Sequence, residues 1–166
     1  MERYLQNRKA WCWRYLENER NYPGLHFTAK PDACDAILQC VAQLRGDGPG
    51  SHRTMPLQTL NPSDEAKISG GQHYVCFGSL RISLHAESEG LRQFAFRVLD
   101  GTVYFDLTER YSSEFEQGIR DVRAGTGDYS ICPRDFARQG RLLGELDRES
   151  EDLWFWPCFG HLSIVQ

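Results

Sequence analysis

A chain of 166 residues, 40% hydrophobic and 12% aromatic, is long and apolar enough to fold as one domain around its own core. Its formal charge of −4 argues against a general nucleic-acid binder, which needs a basic face to displace counterions, and leaves a basic protein open as partner. The polar N-terminal stretch has no export segment and no run reaches the roughly 20 apolar residues of a membrane span, so the expected compartment is the cytosol.

Along the chain, Tyr4, Leu5, Trp11, Cys12, Tyr15 and Leu16 fall on one helical stripe, which predicts a first helix from Arg3 to Asn18. Asn21 to Gly24 has turn chemistry. Pro31 opens a second helix, with Ala33, Ile37, Cys40, Val41 and Leu44 on its buried face and Gly46 as its stop. Residues 46–72 collect glycine and proline and read as one long loop, with a short edge strand at Met55 to Leu60.

From His73 the period changes to two. Leu80, Ile82, Leu84 and Ala86 alternate with Arg81, Ser83, His85 and Glu87, a strand with one buried and one wet face. Asp100-Gly101 is a two-residue hairpin turn. It sets Leu99 opposite Thr102, Val98 opposite Val103, Phe96 opposite Phe105, Phe94 opposite Leu107, and Arg97 opposite Tyr104 as a cation–π pair. Ser113 with Glu116 predicts a capping box that opens a third helix, with Phe115, Ile119 and Val122 inward and Gly125 as its stop. Short strands follow at Asp128 to Cys132 and Leu153 to Cys158, with another at Leu162 to Val165. The expected fold is α+β: one antiparallel sheet of about five to six strands, with two N-terminal helices and one further helix packed on it. The expected layout is a single domain, with a helical hairpin over 1–45, the loop over 46–72 and a sheet-rich part over 73–166.

No residue set with a catalytic signature emerges, and no cofactor or metal is assigned. His73-x-x-Cys76 and Cys158-x-x-His161 have a zinc-like inventory, but residues three apart on a strand point to opposite faces. Glu65 and Lys67 echo a nuclease motif but sit in turn-like sequence. The glycines at 125 and 127 follow a helix, whereas a phosphate cradle precedes one. Six cysteines without tight spacing read as buried thiols. His85 is the best-placed histidine, on a wet strand face.

The remaining signal is acidic and aromatic. Glu145, Asp147, Glu149, Glu151 and Asp152 precede Leu153-Trp154-Phe155-Trp156. If Phe155 faces the core, Trp154 and Trp156 face outward beside the acids, an arrangement typical of binding hot spots. If both sheet faces are covered, both tryptophans are core.

The run Phe105-Asp106, then Gly118-Ile-Arg-Asp-Val-Arg-Ala-Gly125, Gly127-Asp-Tyr-Ser-Ile131 and Leu153-Trp-Phe-Trp156 resembles small bacterial proteins, some of which look like immunity proteins encoded beside secreted toxins. The resemblance covers the C-terminal part and carries no functional residue over. It implies a cytosolic, non-catalytic binder that occludes a toxin, often through acidic and aromatic surface residues; the acid–aromatic pattern itself makes Glu145, Asp147, Glu149, Glu151, Asp152, Trp154 and Trp156 the expected contact set. The competing expectation is a small-molecule binder or enzyme with a pocket between the sheet and the N-terminal helices. The residues leave the oligomeric state open.

Overall fold

A computed structural model describes residues 8–17, 20–61, 73–87, 94–132 and 150–157. Among these the chain forms two mixed sheets and two α-helices, not one antiparallel sheet with three helices. The five-stranded sheet contains β1 (Ala10–Tyr15), β2 (Leu25–Ala29), β4 (Tyr74–Cys76), β8 (Tyr129–Ile131) and β9 (Leu153–Phe155), in the order β4-β1-β2-β9-β8. The four-stranded sheet contains β3 (His52–Pro56), β5 (Ser79–His85), β6 (Phe94–Leu99) and β7 (Thr102–Thr108), in the order β3-β5-β7-β6. The helices are α1 (Pro31–Asp47) and α2 (Ser112–Ala124), the latter preceded by a 3-10 turn at Glu109–Tyr111.

The expected first helix is where the sequence pattern fails. Its described part is strand β1, so among the described residues of the expected hairpin over 1–45 the helix is α1. Ala10 and Cys12 pack into the main core while Trp11, Trp13 and Tyr15 pack on the opposite face. A strand covered on both sides reads as a continuous apolar run, and such a run satisfies helical spacing by accident. Within the expected loop, residues 52–56 form edge strand β3, three residues earlier than the predicted strand. Pro56, with no N–H to donate, stands at its end.

The second helix forms as expected, with Pro31 in its first turn and the buried face predicted for it. It stops at Gly48, not Gly46; the Gly48 N–H donates to the Leu44 carbonyl and its φ of 86° suits glycine. The predicted capping box on α2 is absent: the Ser113 hydroxyl bonds Glu114, and Glu116 accepts both Nη groups of Arg45, at 3.0 and 2.9 Å. Glu116 is drawn away from its own helix terminus because it clasps α2 to the last turn of α1.

The Asp100-Gly101 hairpin has the predicted register at all five pairs, and the Arg97 guanidinium lies 5.5 Å from the Tyr104 ring centre. Its place in the sheet is less intuitive. β7 runs parallel to β5 along its whole length and separates β5 from β6. β9 is likewise parallel to β2, with Leu25 beside Leu153 and Phe27 beside Phe155. The predicted strand at Leu162 to Val165 lies outside the described residues.

The inner faces of both sheets and the apolar faces of both helices share one core. Its centre is a chain of phenylalanines. Phe27 of the five-stranded sheet meets Phe105 of the four-stranded sheet edge to face at 6.2 Å, and Phe115 from α2 meets Phe105 at 5.3 Å, Phe96 at 6.4 Å and Phe155 at 6.4 Å. Such ring pairs add about 0.5–1.5 kcal/mol each beyond their buried area. Residues 150–155 tie the sheets together. The Phe96 N–H donates to the Ser150 hydroxyl, the Glu151 N–H donates to the Phe96 carbonyl, and the Leu25 N–H donates to the Asp152 carbonyl. No helix among the described residues is long and apolar enough to cross a membrane.

Candidate functional site

Strand periodicity gives the five-stranded sheet a second covered face. In β9, Phe155 is fully buried in the main core and Trp154 projects to the opposite side; Trp156, just past the strand, joins it there half-buried. On the same face β1 places Trp13 and Tyr15, and β2 places His26, which pairs across the strands with Trp13 and Trp154. The turn before β2 adds Tyr22.

Five of these six rings cluster around the sixth, the His26 imidazole. His26 stacks on Trp13 at 5.5 Å and on Trp154 and Trp156 at 6.0 Å each; Tyr15 meets its ring edge-on at 4.7 Å. Trp154 and Trp156 stack on each other at 6.0 Å, and Tyr22 closes against both. His26 itself is 0% exposed. Its ring nitrogens are both engaged: Nδ1 accepts the Trp156 indole N–H at 2.9 Å, which leaves Nε2–H to donate to the Tyr22 carbonyl at 3.2 Å. Burial pushes the His26 pKa down to about 4, so the ring is neutral at pH 7.

Both outward tryptophans spend their polar atom inward. The Trp154 indole N–H donates to the Pro23 carbonyl at 2.8 Å and that of Trp156 goes to His26. What they present outside is π face and hydrocarbon edge, fit for an apolar or cationic group and unfit for an acceptor. Tyr22 is 38% exposed and stands at the rim.

The acidic half of the predicted surface is divided. Glu145, Asp147 and Glu149 lie outside the described residues. Glu151 forms an ion pair with Arg14 of β1. Asp152 is half-buried beside Trp154's strand, its backbone locked to Leu25. Sequence reasoning therefore brings together Asp152, Trp154 and Trp156, and misses Trp13, Tyr15, Tyr22 and His26. The missing signal is the parallel pairing of β2 with β9, which no local pattern encodes.

The other sequence candidates separate as well. His85 is on the side of β5 opposite the core, as its alternation predicts, and its Nε2 lies 2.8 Å from Asp106 of β7. Of the first helix expected to line a pocket against the sheet, the described part is strand β1. No disulfide joins the five described cysteines. Burial pushes the thiol of Cys40 up to about 11 and that of Cys12 higher, so neither is a thiolate near neutrality. His73 meets Glu17 and not Cys76, and Cys158 and His161 lie outside the described residues, which contain no cluster of three or more metal-ligating side chains. Comparison with protein-family models, curated proteins and solved structures finds no match to this chain.

Proposed function

We propose that the protein acts by binding, and that the outer face of the five-stranded sheet, at Tyr22, Trp154, Trp156 and Asp152, is the docking surface for a basic protein. The observation that carries this reading is the Tyr22–Trp154–Trp156 group: large rings, fixed on a sheet, with both indole N–H groups satisfied internally. Rings held in place lose little entropy on binding and make strong anchors. A Lys or Arg from the partner would meet a π surface beside a carboxylate. A bacterial toxin neutralised by occlusion is the specific case that the sequence resemblance implies, with Glu145, Asp147 and Glu149 as further candidate contacts from the sequence.

Tyr22→Ala and Asp152→Lys test the surface at its rim, where neither change empties the core. A basic protein captured from the native lysate by the wild-type chain is expected to bind each variant about 30-fold more weakly, a loss of about 2 kcal/mol typical of a hot-spot residue. Equal affinity of that purified protein for wild type and for both variants would remove this face from the account.

A further inference from the structure

The four-stranded sheet has its own outer face, and there the charge has the opposite sign. The register of β5, β7 and β6 sets Arg81, Tyr104 and Arg97 in one row. Both guanidinium groups lie over the same ring, Arg81 at 5.9 Å and Arg97 at 5.5 Å from its centre. Two cations drawn to one ring repel each other, and the compensating carboxylate is already committed. Asp106, in the next row and 2% exposed, takes the Nε–H of Arg97 on one oxygen and the His85 ring on the other, each at 2.8 Å. Burial alone would push its pKa up, but the bonds from His85 and Arg97 and their charge outweigh burial and hold it below the usual carboxylate range.

Arg97 thus uses one of its N–H groups on Asp106, while Arg81 makes no ion pair with any described residue and its buried Nε has no acceptor among them. A guanidinium N–H removed from water without an acceptor is costly, and its fork geometry matches an oxyanion. The neighbouring row, Ser83, Asp106 and Ala95, is buried, so the arginine row borders a covered part of this face.

We propose that the outer face of the four-stranded sheet binds an oxyanion, a phosphate or carboxylate group, between Arg81 and Arg97 over Tyr104. This site is on a different sheet from the docking surface and stands or falls without it. The ligand is a small molecule bearing that group; the acidic balance of the whole chain disfavours a polyanion.

Thermal unfolding in inorganic phosphate and in succinate, each against sodium chloride at matched ionic strength, tests the proposal. A saturable rise in Tm with phosphate names a phosphate ligand, and one with succinate names a carboxylate. Either rise is expected to vanish in Arg81→Gln and to need at least tenfold more ligand in Arg81→Lys, which keeps the charge but loses the fork. No rise with either anion, or an equal rise in wild type and Arg81→Gln, would overturn it. If Arg81→Gln does not fold, the side-chain N–H resonance of Arg81 in the wild-type protein reads the same event. A saturable shift with phosphate or succinate supports the site, and an unmoved resonance refutes it.

Discussion

Phe155→Ala is expected to lower unfolding free energy by about 3–5 kcal/mol, the usual range for emptying a buried phenylalanine site. The ring is fully buried and touches two other elements at three points: Phe115 on α2 at 6.4 Å, Tyr129 on β8 at 5.7 Å, and α2 again at Gly118. The contact with Gly118 gives a sharper test. A methyl group added there would sit inside the van der Waals surface of the Phe155 ring. Alanine in place of glycine inside a helix ordinarily stabilises by about 1 kcal/mol. Here the sign reverses, and Gly118→Ala is expected to destabilise by about 1–3 kcal/mol through overpacking. Phe155→Leu makes room, so the double variant Gly118→Ala with Phe155→Leu is expected to lose less than the two single losses added together. Urea unfolding of the four proteins measures the coupling. Additivity within about 0.5 kcal/mol would show that the ring does not rest on Gly118.

That contact also explains how far the sequence reveals the fold. The hairpin at Asp100-Gly101 is legible because two independent local facts, turn chemistry and alternation, demand the same register. Helix α1 is legible from Pro31 and one apolar stripe. Strand β1 is not, because burial on two faces erases the alternation that would mark it. The sheet order is not legible either. β7 lies between β5 and β6, and β9 lies parallel to β2, through pairings between segments far apart in the chain whose energy is spread over matched apolar side chains. The same gap hides half of the candidate site. Trp154 and Trp156 announce themselves locally, but His26 and Trp13 join them only once β1, β2 and β9 are side by side. Glu116 is a third case: a sequence rule assigns it to its own helix end, and tertiary contact with Arg45 outbids that rule through two charged hydrogen bonds.

The second large effect is a loss of stability in mild acid, centred on His26. An unfolded histidine takes up its proton near pH 6.5, whereas His26 in the folded protein stays neutral down to about pH 4. Between these values the unfolded chain binds more protons, so falling pH favours unfolding. The stability that a neutral His26 supplies is complete above about pH 6.5 and declines by about 1.4 kcal/mol per pH unit below it, to a total loss of about 3 kcal/mol near pH 4. Carboxylates titrate in the same window, so the informative quantity is the difference between wild type and His26→Gln, which keeps a neutral acceptor for Trp156 and has no proton to gain. Wild type is expected to lose about 2–3 kcal/mol more than the variant between pH 7 and pH 4.5 in urea unfolding. The geometry gives the reason and adds an optical readout. Protonation puts a second N–H on Nδ1, facing the indole N–H of Trp156 that now donates to it. Two donors cannot share that contact, so Trp156 must leave the imidazole, and the stack it forms with Trp154 loosens with it. Tryptophan fluorescence of the folded protein should therefore shift toward that of a solvated indole around pH 4, where folded His26 takes up its proton, and His26→Gln should abolish that shift together with the His26 share of the stability loss. Identical pH dependence in wild type and variant would mean that His26 is solvated, and that the rings around it do not form the rigid platform on which docking depends.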